Sequence, residues 1–159
     1  MLFALPAPPA IAATAPAASP SPAPSPTNPA GSVADGGALI SNSGSTNTLP
    51  YTIALRPDGS AVVTVGAATR RQSVPRADAA ELFAELRDAM PLGGLTHAHC
   101  MRSASFGTST TVTFGGEATP DLNCPGDPAS RGLAAGVARV VDDLALDLWR
   151  VRHPVPLSS

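Results

Sequence analysis

Lysine is absent from this chain, and arginine supplies all ten of its basic residues. Twelve acidic residues oppose them, for a formal net charge of −2. That balance argues against nucleic acid and anionic membrane as electrostatic partners. A GC-rich genome accounts for arginine in place of lysine, and for the abundant alanine, proline and glycine. Aromatic residues make up only 4%, too few to build stacking platforms for single-stranded nucleic acid or sugars. Charged residues are scarce at 14%, below the usual quarter or so of a soluble domain. No apolar run approaches the roughly 20 residues of a membrane-spanning helix. There is no Cys-x-x-Cys pair, no Gly-x-Ser-x-Gly elbow and no glycine-rich loop opening a helix. The usual signatures of zinc modules, serine hydrolases and nucleotide binding are therefore missing. The Gly-Gly pairs at 36–37, 93–94 and 115–116 read as turns.

What is present divides into three stretches. The first, residues 1–36, begins with an apolar run ending in small residues, like an export signal. It lacks a basic start, and Pro6, Pro8 and Pro9 interrupt it, so it reads as a degenerate signal. Residues 16–34 are mostly Pro, Ala, Ser, Thr and Asn, with proline alternating over 19–26. Such a stretch has little to bury and is expected to form a semi-extended spacer. The second stretch, 37–151, is long enough for one domain with a core. The third, 152–159, reads as a tail.

Within the domain, 38–44 reads as a short strand. Tyr51, Ile53 and Leu55 alternate on one face of the next. Pro57-Asp58-Gly59 supplies the turn chemistry for a return strand over 61–65. Arg70 and Arg71 follow as a basic pair at a strand end, able to bind an anion or to discourage edge-to-edge pairing. Pro75 opens a helix running to about Met90, with Leu82, Phe83, Leu86 and Met90 on one stripe. Residues 100–106 read as extended and 108–114 as a strand. Gly115-Gly116 turns into a return strand at 117–119. Asp127 is a natural N-cap with Pro128 at the first helical position. The last helix carries Leu133, Val137, Val140, Val141, Leu144 and Leu148 on one stripe, and His153-Pro154 ends it. The sum is α+β: an antiparallel sheet of four to five strands, hairpins and helices alternating, with two helices packed on one face.

Residues 97–127 hold both cysteines, Cys100 and Cys124, and two of the three histidines, His97 and His99. Two cysteines in a small exported domain are most simply one disulfide. The sharper alternative is a metal centre using His97, His99, Cys100 and Cys124. On a strand, His97 and His99 share a face while Cys100 points away, so using all four demands a backbone turn. A thiol nucleophile at Cys100 beside the histidines is a further alternative. Ser103, Ser105 and Ser109 are available hydroxyls without an elbow, and Asp121 with Glu117 is a candidate acid/base pair.

Two resemblances attach to these residues. His99-Cys-Met-Arg-Ser-Ala-Ser-Phe-Gly-Thr108 with Pro120-Asp-Leu-Asn-Cys-Pro125 resembles a motif of small exported proteins of GC-rich bacteria, a family with no assigned activity. The likeness covers roughly residues 38–148, and its paired cysteines imply a disulfide. The order of elements is also similar to the emfourin-like proteins, small bacterial inhibitors of thermolysin-type metalloproteases. That similarity implies an inhibitor-like α+β build and maps no inhibitory residues; an inhibitor is expected to expose a loop or strand edge, for which residues 41–48 are the candidate. The combined expectation is an extracytoplasmic, periplasmic or secreted, non-enzymatic binding domain, held on its spacer at the cell envelope. It needs no cofactor, and its partner is a protein or small ligand.

Overall fold

The structure is a computed structural model, and it describes residues 36–101, 107–146 and 148. The spacer, the tail, Ser103 and Ser105 lie outside the described residues. In chain order the elements are β1 (Ala38–Asn42), β2 (Tyr51–Leu55), β3 (Ser60–Val65), β4 (Ala68–Ser73), α1 (Arg76–Asp88), β5 (Thr110–Phe114), β6 (Glu117–Ala118) and α2 (Pro128–Asp143). A short 3-10 turn, Leu92–Gly94, follows α1. The strands form one antiparallel sheet in the order β4-β3-β2-β1-β5-β6. The fold is α+β as the pattern predicts, with six strands in place of four or five.

The extra strand is β4. Its sequence, Ala-Thr-Arg-Arg-Gln-Ser, carries no apolar alternation, so periodicity does not reveal it. The backbone ladder holds it instead, in unbroken register from Val65↔Ala68 to Ser60↔Ser73. Gly66 opens the two-residue turn before it with φ +57°, the conformation such hairpins ask of their first turn residue.

The first hairpin forms where turn chemistry places it. Asp58 Oδ1 accepts from Ser60 N–H at 2.9 Å and from the Ser60 hydroxyl at 2.7 Å. Gly59 has φ +87°, and a Cβ there would sit 2.6 Å from the Val74 carbonyl oxygen. Only glycine fits that position.

Strand alternation then sorts the sheet faces. Ala38, Ile40, Ile53, Leu55, Ala61, Val63 and Val112 point to one side and are buried. Leu82, Phe83 and Leu86 of α1 and Leu133, Val137 and Val140 of α2 cover them. Phe83 meets Phe114 edge to face, ring centroids 5.8 Å apart. Each such buried side chain contributes about 1.5–3 kcal/mol over leaving it in water. Among the described residues, no helix lies over the opposite face, which includes Ser41, Thr52, Thr64, Thr69, Thr111 and Arg71.

Both helices depart from expectation at their C-termini. α1 is capped at Ala89, so Met90 falls past the stripe and is 40% exposed. α2 stops at Asp143 because Ala145 takes a left-handed φ of 45°. The freed Leu144 carbonyl accepts from Gln72 Nε2 of β4 at 3.2 Å. The Leu148 carbonyl accepts from Leu49 N–H, in the loop before β2, at 2.7 Å. Leu148 still packs on the core, but from outside the helix.

Candidate functional site

Cys100 and Cys124 are joined by a disulfide, with their Cα atoms 5.8 Å apart. The segment carrying Cys100 runs antiparallel to the one carrying Cys124. His97 pairs across with Pro125. Ala98 N–H donates to the Cys124 carbonyl at 2.8 Å, and Gly126 N–H to the Thr96 carbonyl at 3.0 Å. Cys124 is buried and Cys100 exposed. The bond therefore pins a surface strap to the loop that leads into α2.

Asp127 fastens the same strap from below. Its Oδ1 accepts from Ser130 N–H at 2.7 Å, completing a capping box in which the Ser130 hydroxyl answers Asp127 N–H. Its Oδ2 accepts from Thr96 N–H at 2.6 Å and from the Thr96 hydroxyl at 2.8 Å. The Ser130 backbone bond first, and then the Thr96 bonds, hold this carboxyl well below its ordinary value of 3.8. A depressed folded pKa stabilises the fold above the unfolded value. That contribution is lost as pH falls through 3.8 toward the lower folded value. Asp127→Asn should therefore flatten the acid limb of a plot of melting temperature against pH, between about pH 4 and pH 2. If the parent and variant profiles run parallel there, the Asp127 carboxylate does not act as this fastening.

The histidines sit on the outside of the strap. His97 and His99 are exposed, their rings edge to face with centroids 6.3 Å apart. Both sulfurs are consumed by the disulfide, so neither is a thiolate for metal or for nucleophilic attack. Among the described residues, no group of three or more His, Cys, Asp and Glu side chains is placed to hold a metal ion.

Asp121 and Glu117 do not converge. Asp121 Oδ1 accepts from Thr110 N–H at 2.9 Å and from Asn123 N–H at 3.0 Å. Glu117 pairs with Phe114 at the far end of β5. Four residues of strand separate the two positions, about 13 Å at the usual rise. Ser109 N–H donates to the Ser43 Oγ, and its carbonyl accepts from Ser43 N–H, both at 2.9 Å. The loop over residues 43–50 is folded onto itself. Gly44 is buried, and Ser45 N–H donates to the Thr48 carbonyl at 3.0 Å.

A different set of residues forms a cleft of about 230 Å³ between α2 and the sheet. Asn42, Tyr51 and Thr110 occupy one row across β2, β1 and β5. Asn42 Nδ2 donates to Thr110 Oγ1 at 2.7 Å. The Tyr51 phenol also hydrogen-bonds with Thr110, and burial pushes it above its ordinary pKa while that bond opposes the rise. It therefore stays protonated at neutral pH. Leu122, Ala134 and Val137 form apolar walls, with Ala138, Val141 and the polar Asn123 and Asp142 completing the lining. An apolar recess with a few convergent polar groups is the usual form of a small-molecule site, and this one is smaller than the roughly 300–1,000 Å³ of most.

Sequence reading passes over this cleft because Tyr51 alternates with Ile53 and Leu55 and so reads as core. One signal was available. A buried tyrosine carries a hydroxyl that needs a partner, and Asn42 and Thr110 are polar residues at the ends of otherwise apolar rows. No family model matches the chain, and no curated protein or solved structure matches it either.

Proposed function

We propose that the protein is an exported, non-enzymatic binding domain that takes a small, largely apolar ligand bearing a hydroxyl or amide. The cleft carries this reading. Its inner groups are a phenol, a hydroxyl and a carboxamide. Such groups recognise by hydrogen bonding and form no nucleophile–base pair, and the one carboxylate in the lining, Asp142, is exposed. The disulfide supports export, because such bonds persist in oxidising compartments. Among the described residues no helix is long and apolar enough to cross a membrane. The Pro/Ala/Ser spacer fits a domain held away from an envelope surface.

Benzyl alcohol and benzamide are suitable probes, titrated into isotope-labelled protein and followed by amide chemical shifts. Shifts should concentrate at Asn42, Thr110, Leu122 and Ala134, and no product resonances should appear in the probe's own spectrum. Ala138→Leu fills the opening from an exposed helix position and should abolish the shifts. Tyr51→Phe removes one hydroxyl and should weaken binding about tenfold, roughly one hydrogen bond's net worth. Shifts that persist in Ala138→Leu, or none at all at millimolar probe, would remove the cleft as the binding site.

A further inference from the structure

We infer that β4 is a docking edge that accepts an extended segment of a partner protein carrying two adjacent acidic residues, as an added antiparallel strand. β4 is the last strand of the sheet on its side. Its six residues pair with β3 without a bulge. The edge contains no proline and is exposed, with only Gln72 partly buried through its bond to the Leu144 carbonyl. The sheet's other outer strand, β6, has two residues and leads into Pro120. It offers an incoming chain little to pair with.

The register says which backbone groups are free. A two-residue turn joins β3 to β4, so its closing pair Val65↔Ala68 is hydrogen-bonded. Alternation along an antiparallel ladder then leaves Thr69, Arg71 and Ser73 in the non-hydrogen-bonded pairs, with N–H and C=O directed away from β3. Strand addition uses such a row of outward donors and acceptors.

Charge selects the occupant. Arg70 and Arg71 are adjacent, so the pleat sends their guanidinium groups to opposite faces of the edge. Neither has an ion pair among the described residues. A second copy of β4 can add antiparallel only by pairing its own outward residues, Thr69, Arg71 and Ser73, with these. The fullest such register sets Arg71 opposite its own copy, and the register shifted by two residues sets Arg70 opposite its own copy. Like charges directly opposite destabilise a strand pair, and opposite charges stabilise it. A partner with consecutive Glu or Asp meets one arginine on each face. On the helix-free face, Ala54, Arg56, Val62 and Arg71 line a shallow cleft of about 320 Å³ beside the edge. It has room for a side chain of the incoming strand.

The probe is the blocked hexapeptide Thr-Val-Glu-Glu-Val-Thr, titrated into the full chain, with the Lys-Lys analogue and a backbone N-methylated Glu-Glu analogue as controls. The acidic peptide should shift the amides of Thr69, Arg71 and Ser73 and slow their exchange with solvent. The Lys-Lys peptide should bind at least about tenfold more weakly, given two charge pairs per added strand. N-methylation should abolish the effect, because it removes the ladder and leaves the charge. The double variant Arg70→Glu/Arg71→Glu lies wholly on the exposed edge and should reverse the preference toward Lys-Lys. Equal binding of the N-methylated peptide would reduce the interaction to surface charge and overturn strand addition. So would shifts centred elsewhere, or Thr69, Arg71 and Ser73 amides already protected in the free chain by its own tail or a second copy.

Discussion

Val140→Asp is expected to abolish cooperative folding. Val140 is completely buried on α2, within the core shared with α1 and the sheet. Removing its side chain forfeits about 1.5–3 kcal/mol of burial. Leaving an unpaired carboxylate in that position costs on the order of several kcal/mol more. The sum rivals the roughly 5–15 kcal/mol that holds an ordinary domain together. The neighbouring cation gives no relief: Arg139 lies on the outer side of the helix, its Nη2 2.9 Å from Glu81. Ala135→Asp, on the exposed side of the same helix, should cost only about 0.7 kcal/mol in helix propensity. Urea melts of the two variants beside the parent make the comparison. A Val140→Asp melt with the parent's midpoint would mean that the apolar stripe of α2 does not face the core.

That stripe was legible because four core positions recur at helical spacing and because Asp127-Pro128 announces the helix start. The Pro57-Asp58-Gly59 hairpin was legible for a similar reason: its turn chemistry is local. β4 was not, because nothing in Thr69-Arg-Arg-Gln72 shows that a ladder continues; the signal lies in the partner strand's free edge and in Gly66. The end of α2 was also hidden. An alanine in a left-handed conformation breaks no propensity rule that sequence can display, and the tie that rewards it, Gln72 to the Leu144 carbonyl, spans 72 positions. The cysteine pairing could be read from count and context alone. The cleft left only the signal of Tyr51's hydroxyl, since its polar row is assembled from three strands whose register is a property of the fold. The histidines illustrate the converse. They stood out in the sequence, yet the structure leaves them exposed on a strap.

Removing the Cys100–Cys124 bond is expected to lower stability by about 3.5 kcal/mol, from the entropy of the loop it closes. The two cysteines are 24 positions apart, and the reduced unfolded chain regains the freedom of that whole segment. The strap's backbone bonds from Ala98 and Gly126 are already made with the disulfide in place, so they do not offset the loss. Cys100→Ser/Cys124→Ser should show this deficit in a denaturant melt, and the parent treated with a reductant should show the same. Protein made in an oxidising compartment should carry no alkylatable thiol by intact mass and no stoichiometric zinc, since oxidised sulfur is not a thiolate ligand. Two free thiols with one bound metal would reverse the reading of the strap, turning His97 and His99 into ligands and setting an enzyme ahead of a binding domain. Two free thiols without metal would place the protein in a reducing compartment, and export would lose its main support.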